Sequence, residues 1–447
     1  MSVFTVLSGT KALNAYVIFF VTISLVFWKP RYFGVTATLG AIVALITGVV
    51  THKDIPFVWS IVGNATITLV ALIIISLILD EAGVFRWLAF HITRWGWGQG
   101  RSLFRLVILL AAVVTALLTN DGTALIITPV VLEMFLDLEF SSSGILAFVV
   151  AVGFISDATS LPLTISNLTN IITADYFDIS FAKYAQVMIP VNLVAITASF
   201  IVLWYYFYPY IPPRYSLPTR IPPQQLIRDP IVFRASFLIL LLLLIGYFGA
   251  EPLGIPVSLV ASCGALILLA LAGRWFQPSS ARVIKLEVVL QQAPWQVILF
   301  SMGMYLVVLG MHHAGLTSLL TQGLEKLSQQ GTIFATVTTG VSAALLSGVM
   351  NNLPTVLIDS LAIKNATHIN SVTGEMMIYA NVIGCALGAK ITPFGSLCTL
   401  LWLEIITRKG VLIDWLEYLQ IHLILTIPVL LATLLGLNLW LSLVIGH

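Results

Sequence analysis

Two apolar stretches of this chain are each cut by a polar turn at a point where a membrane helix should continue. The first reads Leu117-Leu118-Thr119-Asn120-Asp121-Gly122-Thr123-Ala124, the second Leu346-Ser347-Gly348-Val349-Met350-Asn351-Asn352-Leu353-Pro354-Thr355. Such turns matter because the chain is 59% hydrophobic and only 9% charged over 447 residues, which makes it a polytopic membrane protein. In hydrocarbon, a non-helical backbone survives only where protein or a cavity surrounds it. Phe104 to Thr119 is 16 residues. At about 1.5 Å per residue it reaches roughly 24 Å against a core of about 30 Å. Both stretches therefore read as re-entrant hairpins, at 104–138 and 332–365.

A second pair of interruptions follows the hairpins. Ser156-Asp157-Ala158-Thr159-Ser160-Leu161-Pro162 through Asn170 divides an apolar segment at 144–172; Gly388-Ala389-Lys390-Ile391-Thr392-Pro393-Phe394-Gly395-Ser396 through Thr399 divides one at 371–405. Interrupted helices at matching points of two halves mark a midplane binding site of a transporter. The expected fold is all-α, with two inverted repeats, each holding a re-entrant hairpin and a discontinuous helix, and about ten full spans.

Uninterrupted spans fall at about 12–28, 33–50, 58–80 and 185–208, then at 231–249, 253–272, 295–311 and 419–442, with an interfacial helix near 315–329. The first span lacks a basic start and a cleavage site, and reads as a mature helix. Residues 209–230 carry seven prolines, Pro218 among them, and form a linker between a first repeat at 1–208 and a second at 231–447. Threading the spans alternately puts Lys29, Arg31, Arg86, Arg94, Arg101, Arg105, Arg214, Arg220, Arg228, Arg234, Arg274, Arg282, Lys285, Arg408 and Lys409 on one side. Lys11, Lys53, Lys183, Lys326 and Lys364 fall on the other, and Lys390 stays within the membrane. The positive-inside rule makes the first side cytoplasmic and places both termini outside.

Asp121, Asp157 and Lys390 are the ionisable residues this threading leaves deepest, with Glu133 and Asp359 nearer the hairpin ends. Charges at such depth cost several kcal/mol unless they face protein or water, and they usually have a role. Asp121 reads either as a cap for the following helix or as a proton carrier. Asp157 and Lys390, the latter just before its break, read as a neutralising bridge between the repeats or as groups that tune proton exchange. Around them Asn120, Thr123, Ser166, Asn167, Thr169, Asn351, Asn352, Thr355, Ser396 and Thr399 offer amides and hydroxyls suited to a small polyhydroxylated solute; some of these would only satisfy freed backbone groups. No arginine falls at either break to grip a carboxylate, which favours a neutral substrate.

Cys263, Cys385 and Cys398 form no CxxC pair and read as packing residues, so neither a disulfide nor a metal site is indicated. His312-His313 reads as interfacial. No cofactor is implied. A net charge of +2 gives no footprint for nucleic acid, and no HExxH, GxSxG or GxxxxGK[ST] stretch supports an enzyme.

Several runs go further than pattern. Ile73 to Gly83, Asn120-Asp121-Gly122-Thr123-Ala124 through Pro129, Ile165-Ser166-Asn167-Leu168-Thr169-Asn170, Ala293-Pro294-Trp295-Gln296, Ser301 to Val308, Met350-Asn351-Asn352-Leu353-Pro354-Thr355 and Asn381-Val382-Ile383-Gly384-Cys385 resemble the bacterial arsenite and antimonite efflux permeases of the ion transporter superfamily, over nearly the whole chain. The resemblance implies an inner-membrane carrier that exports arsenite or antimonite in exchange for protons, sometimes driven by a cytoplasmic ATPase partner. It places the site at the two tips and two breaks. The rival within the superfamily, a sodium-coupled carboxylate or sulfate carrier, fits less well: the second break reads Gly395-Ser396-Leu397-Cys398-Thr399 rather than Ser-Asn-Thr, and the first tip carries Asp121.

Overall fold

The computed structural model describes residues 9–217, 222–275, 283–293 and 295–445. Pro218, Arg220, Arg282 and Pro294 lie outside them. Helices α1 (Thr10–Trp28), α2 (Phe33–Ile46) and α3 (Asp54–Ala82) lead to a short amphipathic α4 (Val84–Trp95). Next come a hairpin of α5 (Gly100–Leu117) and α6 (Asn120–Asp137), a broken helix of α7 (Ser142–Ala158) and α8 (Leu168–Tyr176), and α9 (Phe181–Phe207). The order then returns. Helices α10 (Pro230–Ala250), α11 (Val257–Ala272), a short α12 (Leu286–Gln292) and α13 (Trp295–His313) precede an amphipathic α14 (Leu316–Ser328). The second hairpin is α15 (Thr332–Met350) and α16 (Asn352–Asn365), the second broken helix α17 (Ser371–Gly388) and α18 (Leu397–Arg408), and the last helix α19 (Trp415–Ile445).

Local chemistry repeats with the order. Gly83 and Gly315 each precede an amphipathic helix, and each sits at φ +92°, a left-handed conformation that costs glycine nothing. Packing exchanges the halves as a two-fold would: α2 lies on α13 while its counterpart α11 lies on α3, and α9 meets α19. The broken helices cross over too, α8 running beside α16 and α18 beside α6.

Two contacts show that the repeats are inverted. The chain leaves the base of the first hairpin, enters α7 on the same face, breaks mid-protein and exits opposite through α8. There the Tyr176 carbonyl accepts a hydrogen bond from Lys364 Nζ (3.0 Å), at the base of the second hairpin. At the first face Lys409, just past α18, pairs with Glu133 on α6 (2.9 Å). The first face also holds Arg228–Glu81 (3.1 Å) and the buried Arg274–Asp229 pair (2.8 Å), the second face Lys183–Glu375 (2.9 Å).

Several boundaries differ from the sequence reading. The leading arm of the first hairpin is 18 residues and that of the second, α15, is 19, each long and apolar enough to cross a membrane. They turn back nonetheless, because new helices start at Asn120 and Asn352. Helix α2 stops at Ile46, short of residue 50, since Gly48 turns the chain at φ +67°. Helix α11 starts only after Pro256. The unforeseen α4 mirrors α14. Six long helices, the shorter α2 and α11, and two broken helices make ten crossings among the described residues. The rim helices face outward with leucine, as at Leu238, Leu241 and Leu242 of α10. By contrast α7 is buried from Gly144 to Ala158, save for a half-buried Leu146, and α16 from Asn352 to Ile363. The discontinuous elements are therefore the core.

Candidate functional site

The first tip is built by Thr119. Its hydroxyl accepts the Gly122 N–H (2.9 Å) and caps α6. The structure thus corrects the capping role considered for Asp121: the cap sits two residues earlier, and the Asp121 carboxylate has no hydrogen-bond partner among the described residues. Asn120 opens α6 and its Nδ2 donates to Asp157 Oδ1 at 2.6 Å. The other carboxylate oxygen of Asp157 lies 2.9 Å from Lys390 Nζ, both side chains being 1% exposed. Tip 1, break 1 and break 2 thus meet on one buried carboxylate.

Lys390 lies inside its break rather than before it, because α17 ends at Gly388. The backbone there presses on α15 so closely that a Cβ on Gly388 would overlap the Ala344 backbone. Three residues that sequence reasoning missed surround Lys390. Its ammonium is 5.7 Å from the centroid of Trp402, a cation–π geometry that offsets part of the lost hydration. Trp402 in turn needs Gly153, where a Cβ would come 2.6 Å from the indole. Tyr418 donates its hydroxyl to the Lys390 carbonyl (3.1 Å), and His422 stacks on Tyr418 at 3.8 Å.

The breaks satisfy their own backbone. In the first, Asn170 Nδ2 donates to the Ser160 and Leu163 carbonyls (2.7 and 3.0 Å), Asn167 caps the Thr169 N–H (3.1 Å), and Ser166 donates to the Ala116 carbonyl (2.8 Å). In the second, Ser396 accepts the Thr399 N–H (3.0 Å). The second tip is tied to break 2 by two bonds to main-chain carbonyls. Asn352 N–H donates to Gly395 O (2.8 Å), and Asn351 Nδ2 donates to Phe394 O (3.2 Å), so no titratable group takes part in either. Asn351 sits at φ +82°, a conformation rare for a residue with a Cβ and frequent where function requires strain.

Tips and breaks enclose a cavity of about 10 Å³, room for the centre of roughly one water. Asn120, Asp121, Asn167, Leu168, Val297, Asn352, Leu353 and Ser396 line it. Four of the ten uncharged candidates therefore face the cavity. The other six serve the fold: Thr123 and Thr355 donate to the carbonyls of Thr119 and Asn351 (2.9 and 2.8 Å), and Ser166, Thr169, Asn351 and Thr399 make their bonds at the tips and breaks. Asn120 Oδ1 is buried with no partner. Cys398 donates to the Asn120 carbonyl (3.5 Å) and Cys385 to Asn381 Oδ1 (3.3 Å), so two of the three cysteines have local partners. Asp359, placed near a hairpin end by the sequence, is only 7% exposed and shares a helix face with Asn352 and Thr355. A wider cleft of about 890 Å³ opens at the base of the first hairpin, between α4 and α6, and reaches Val130. Ten residues of helix, about 15 Å, separate it from the tip.

Residues 14–441 match the family ArsB, arsenical pump membrane protein. An arsenical pump membrane protein of Escherichia coli is 51% identical over 427 residues, 95% of this chain and 98% of the relative; one from Yersinia enterocolitica is 49% identical over the same coverage. A putative arsenical pump membrane protein of Bacillus subtilis (strain 168) is 29% identical over 444 residues. Among solved structures, the YdaH transporter of Alcanivorax borkumensis, described as having an unusual topology, aligns with a TM-score of 0.55 at 16% identity, covering 89% of this chain and 90% of that one, which is a likeness of fold. With a family match over nearly its whole length and half its residues shared with the Escherichia coli relative, this chain belongs to the arsenical pump membrane proteins, a family of transporters rather than enzymes.

Proposed function

We propose that this protein exports trivalent metalloid, arsenite or antimonite as neutral As(OH)3 or Sb(OH)3, across the inner membrane in exchange for protons. The observation that carries the reading is the shared Asp157 carboxylate, held by the tip amide of Asn120 and by Lys390, beside a cavity otherwise lined by uncharged groups and Asp121. The cavity as it stands has room for only about one water, so the substrate enters when the halves part, and Asn120, Asn167, Asn352 and Ser396 then offer the donors and acceptors that three hydroxyls need. Two carboxylates and one ammonium leave one negative charge unbalanced, and a buried unbalanced charge is costly. A proton removes it. Asp121 lines the cavity and lacks a hydrogen-bond partner among the described residues, so it is the entry point for the proton, with the Asp157–Lys390 ion pair beside it.

In this reading the halves 1–208 and 231–447 are the inverted repeats that rock about the cavity, and the basic face is cytoplasmic. The cleft beside α4 is then the inner vestibule. Each proton moving inward releases about 2.3 kcal/mol per 100 mV, which drives a neutral solute outward. A cytoplasmic ATPase is a compatible partner, with the basic residues Arg86 and Arg94 of α4, Arg101 and Arg105 at the start of α5, and Arg214, Arg228 and Arg234 around the linker as its docking surface. A sodium-coupled carboxylate carrier is disfavoured because Asp121 would repel an anionic substrate and no arginine among the described residues lines the cavity.

The test is arsenite and antimonite accumulation in everted vesicles containing this protein alone, without ATP, under an imposed acid-inside gradient. Accumulation abolished by a protonophore is expected. Accumulation that ignores the gradient, or demands sodium, contradicts the reading.

A further inference from the structure

Antiport requires that proton and substrate exclude one another, and the site contains one group that touches both. Asn120 is 2% exposed and lines the cavity. Its Nδ2 is committed to Asp157 Oδ1 at 2.6 Å, and its Oδ1 is buried without a partner. The orientation of this amide follows from chemistry, since an ionised carboxylate only accepts hydrogen bonds and so must face the NH2 end. An acceptor is thereby left buried and unmatched on a side chain that lines the cavity. A buried acceptor with nothing to accept is costly, and a hydroxyl-bearing solute offsets that cost by donating.

We propose that the Asn120 side-chain amide is the coupling switch, presenting its carbonyl to the substrate when Asp157 is ionised and its NH2 when Asp157 is protonated. This rests on the proton-exchange reading above and adds to it the residue through which the two ligands compete. When a proton from the cavity settles on Asp157, the carboxylic acid becomes a donor and Lys390 balances Asp121 instead. The amide then turns so that its carbonyl accepts from Asp157. The cavity loses its acceptor and gains a second donor beside the substrate's own hydroxyls. The metalloid is released where protons are plentiful and recaptured where they are scarce, which is the sign that outward export against inward protons requires. By linkage, substrate lowers the proton affinity by the same factor as protons lower substrate affinity.

The ionisable groups around this pair are Lys390 in break 2, paired to Asp157, Asp121 next to Asn120 on α6, Cys398 on α18, which donates to the Asn120 carbonyl, and Tyr418 on α19, bonded to the Lys390 carbonyl with His422 stacked behind it. The second tip supplies an internal control. Asn352 occupies the same first-residue position on α16 and lines the same cavity, but its bond to break 2 runs to the Gly395 carbonyl rather than to a carboxylate.

The experiment is equilibrium binding of arsenite to the purified full-length protein at about pH 8 and about pH 5, roughly a thousandfold range of proton concentration. Wild type is expected to bind on the order of tenfold or more weakly at the lower pH. Asn120→Ala should bind weakly at both, with the pH dependence gone, and Asn120→Ser should do the same with a smaller volume change. Asn352→Ala should bind weakly but keep the wild-type pH dependence. An Asn120 variant that retains the full pH dependence overturns the switch, as does wild-type binding indifferent to pH. Proton-driven flux in vesicles is a separate readout: if it persists while Asn120→Ala keeps its pH dependence, the switch falls and the proton-exchange reading stands. If flux never follows the gradient, that reading falls first.

Discussion

The two hairpin tips have the same architecture and opposite chemistry. Each opens its second helix on an asparagine, Asn120 or Asn352, preceded by a capping residue, Thr119 or Asn351, and followed three residues later by a threonine that bonds back to the cap's carbonyl. Where the first tip has Asp121, the second has Leu353. The first is tied to its break through a carboxylate, Asn120 to Asp157, while the second is tied through main chain, Asn352 to the Gly395 carbonyl. A tie to a carboxylate can be switched by a proton. A main-chain tie cannot. The two-fold supplies the shape of the cavity, and in the proton exchange proposed above the departure from it supplies the coupling.

The contrast between the tips is challenged hardest by removing the carboxylate on which three elements meet. Asp157→Leu leaves Lys390 buried and unpaired, with an expected stability loss of about 3–5 kcal/mol in thermal or denaturant unfolding. Gradient-driven arsenite flux should fall to background. Adding Lys390→Met should restore most of the stability and none of the flux; restored flux would show that the pair is only a bridge.

The tips themselves should differ in stability. Thr119→Ala removes one cap and is expected to cost about 1 kcal/mol. Asn351→Ala removes a cap and the bond to the Phe394 carbonyl, and leaves a Cβ residue at φ +82°, so a loss of about 2–3 kcal/mol is expected. Equal losses would mean that the second tip is not the more constrained of the two.

The smallest effect belongs to the faces. Lys409 and Glu133 are each nearly half exposed, so Lys409→Met should change stability by less than about 1 kcal/mol and leave flux within roughly twofold. A large loss of flux would make that pair a latch of the first hairpin.

Much of this is legible in the residues alone. Both hairpins and both breaks announce themselves through Asn, Gly and Pro inside apolar runs, and the cost of burying charge points to Asp157 and Lys390 as partners despite their distance in sequence. Other parts are not. Thr119 and Asp121 are both good capping residues, and only the start of α6 at Asn120 decides between them. Trp402, Tyr418 and His422 carry no spacing signal, because α18 and α19 read as ordinary apolar helices and their contact with Lys390 is made by tertiary packing. Of these, Trp402 is the most accessible to reasoning, since a buried ammonium favours an aromatic face and Trp402 stands in the same broken helix. Helix α4 escapes notice because its Arg86, His91 and Arg94 dilute an apolar stripe of only 12 residues. The six polar residues that serve the fold cannot be separated by type from the four that face the cavity.

If Asp121, the residue that distinguishes the tips, is the group through which the exchanged proton reaches Asp157, then neutralising it should uncouple transport without abolishing it. The measurement is made in proteoliposomes holding wild type or Asp121→Asn, comparing arsenite accumulation driven by a proton gradient with arsenite–arsenite exchange at equal pH. Asp121→Asn is expected to retain exchange and lose gradient-driven accumulation. Undiminished gradient-driven accumulation by the variant would contradict the assignment.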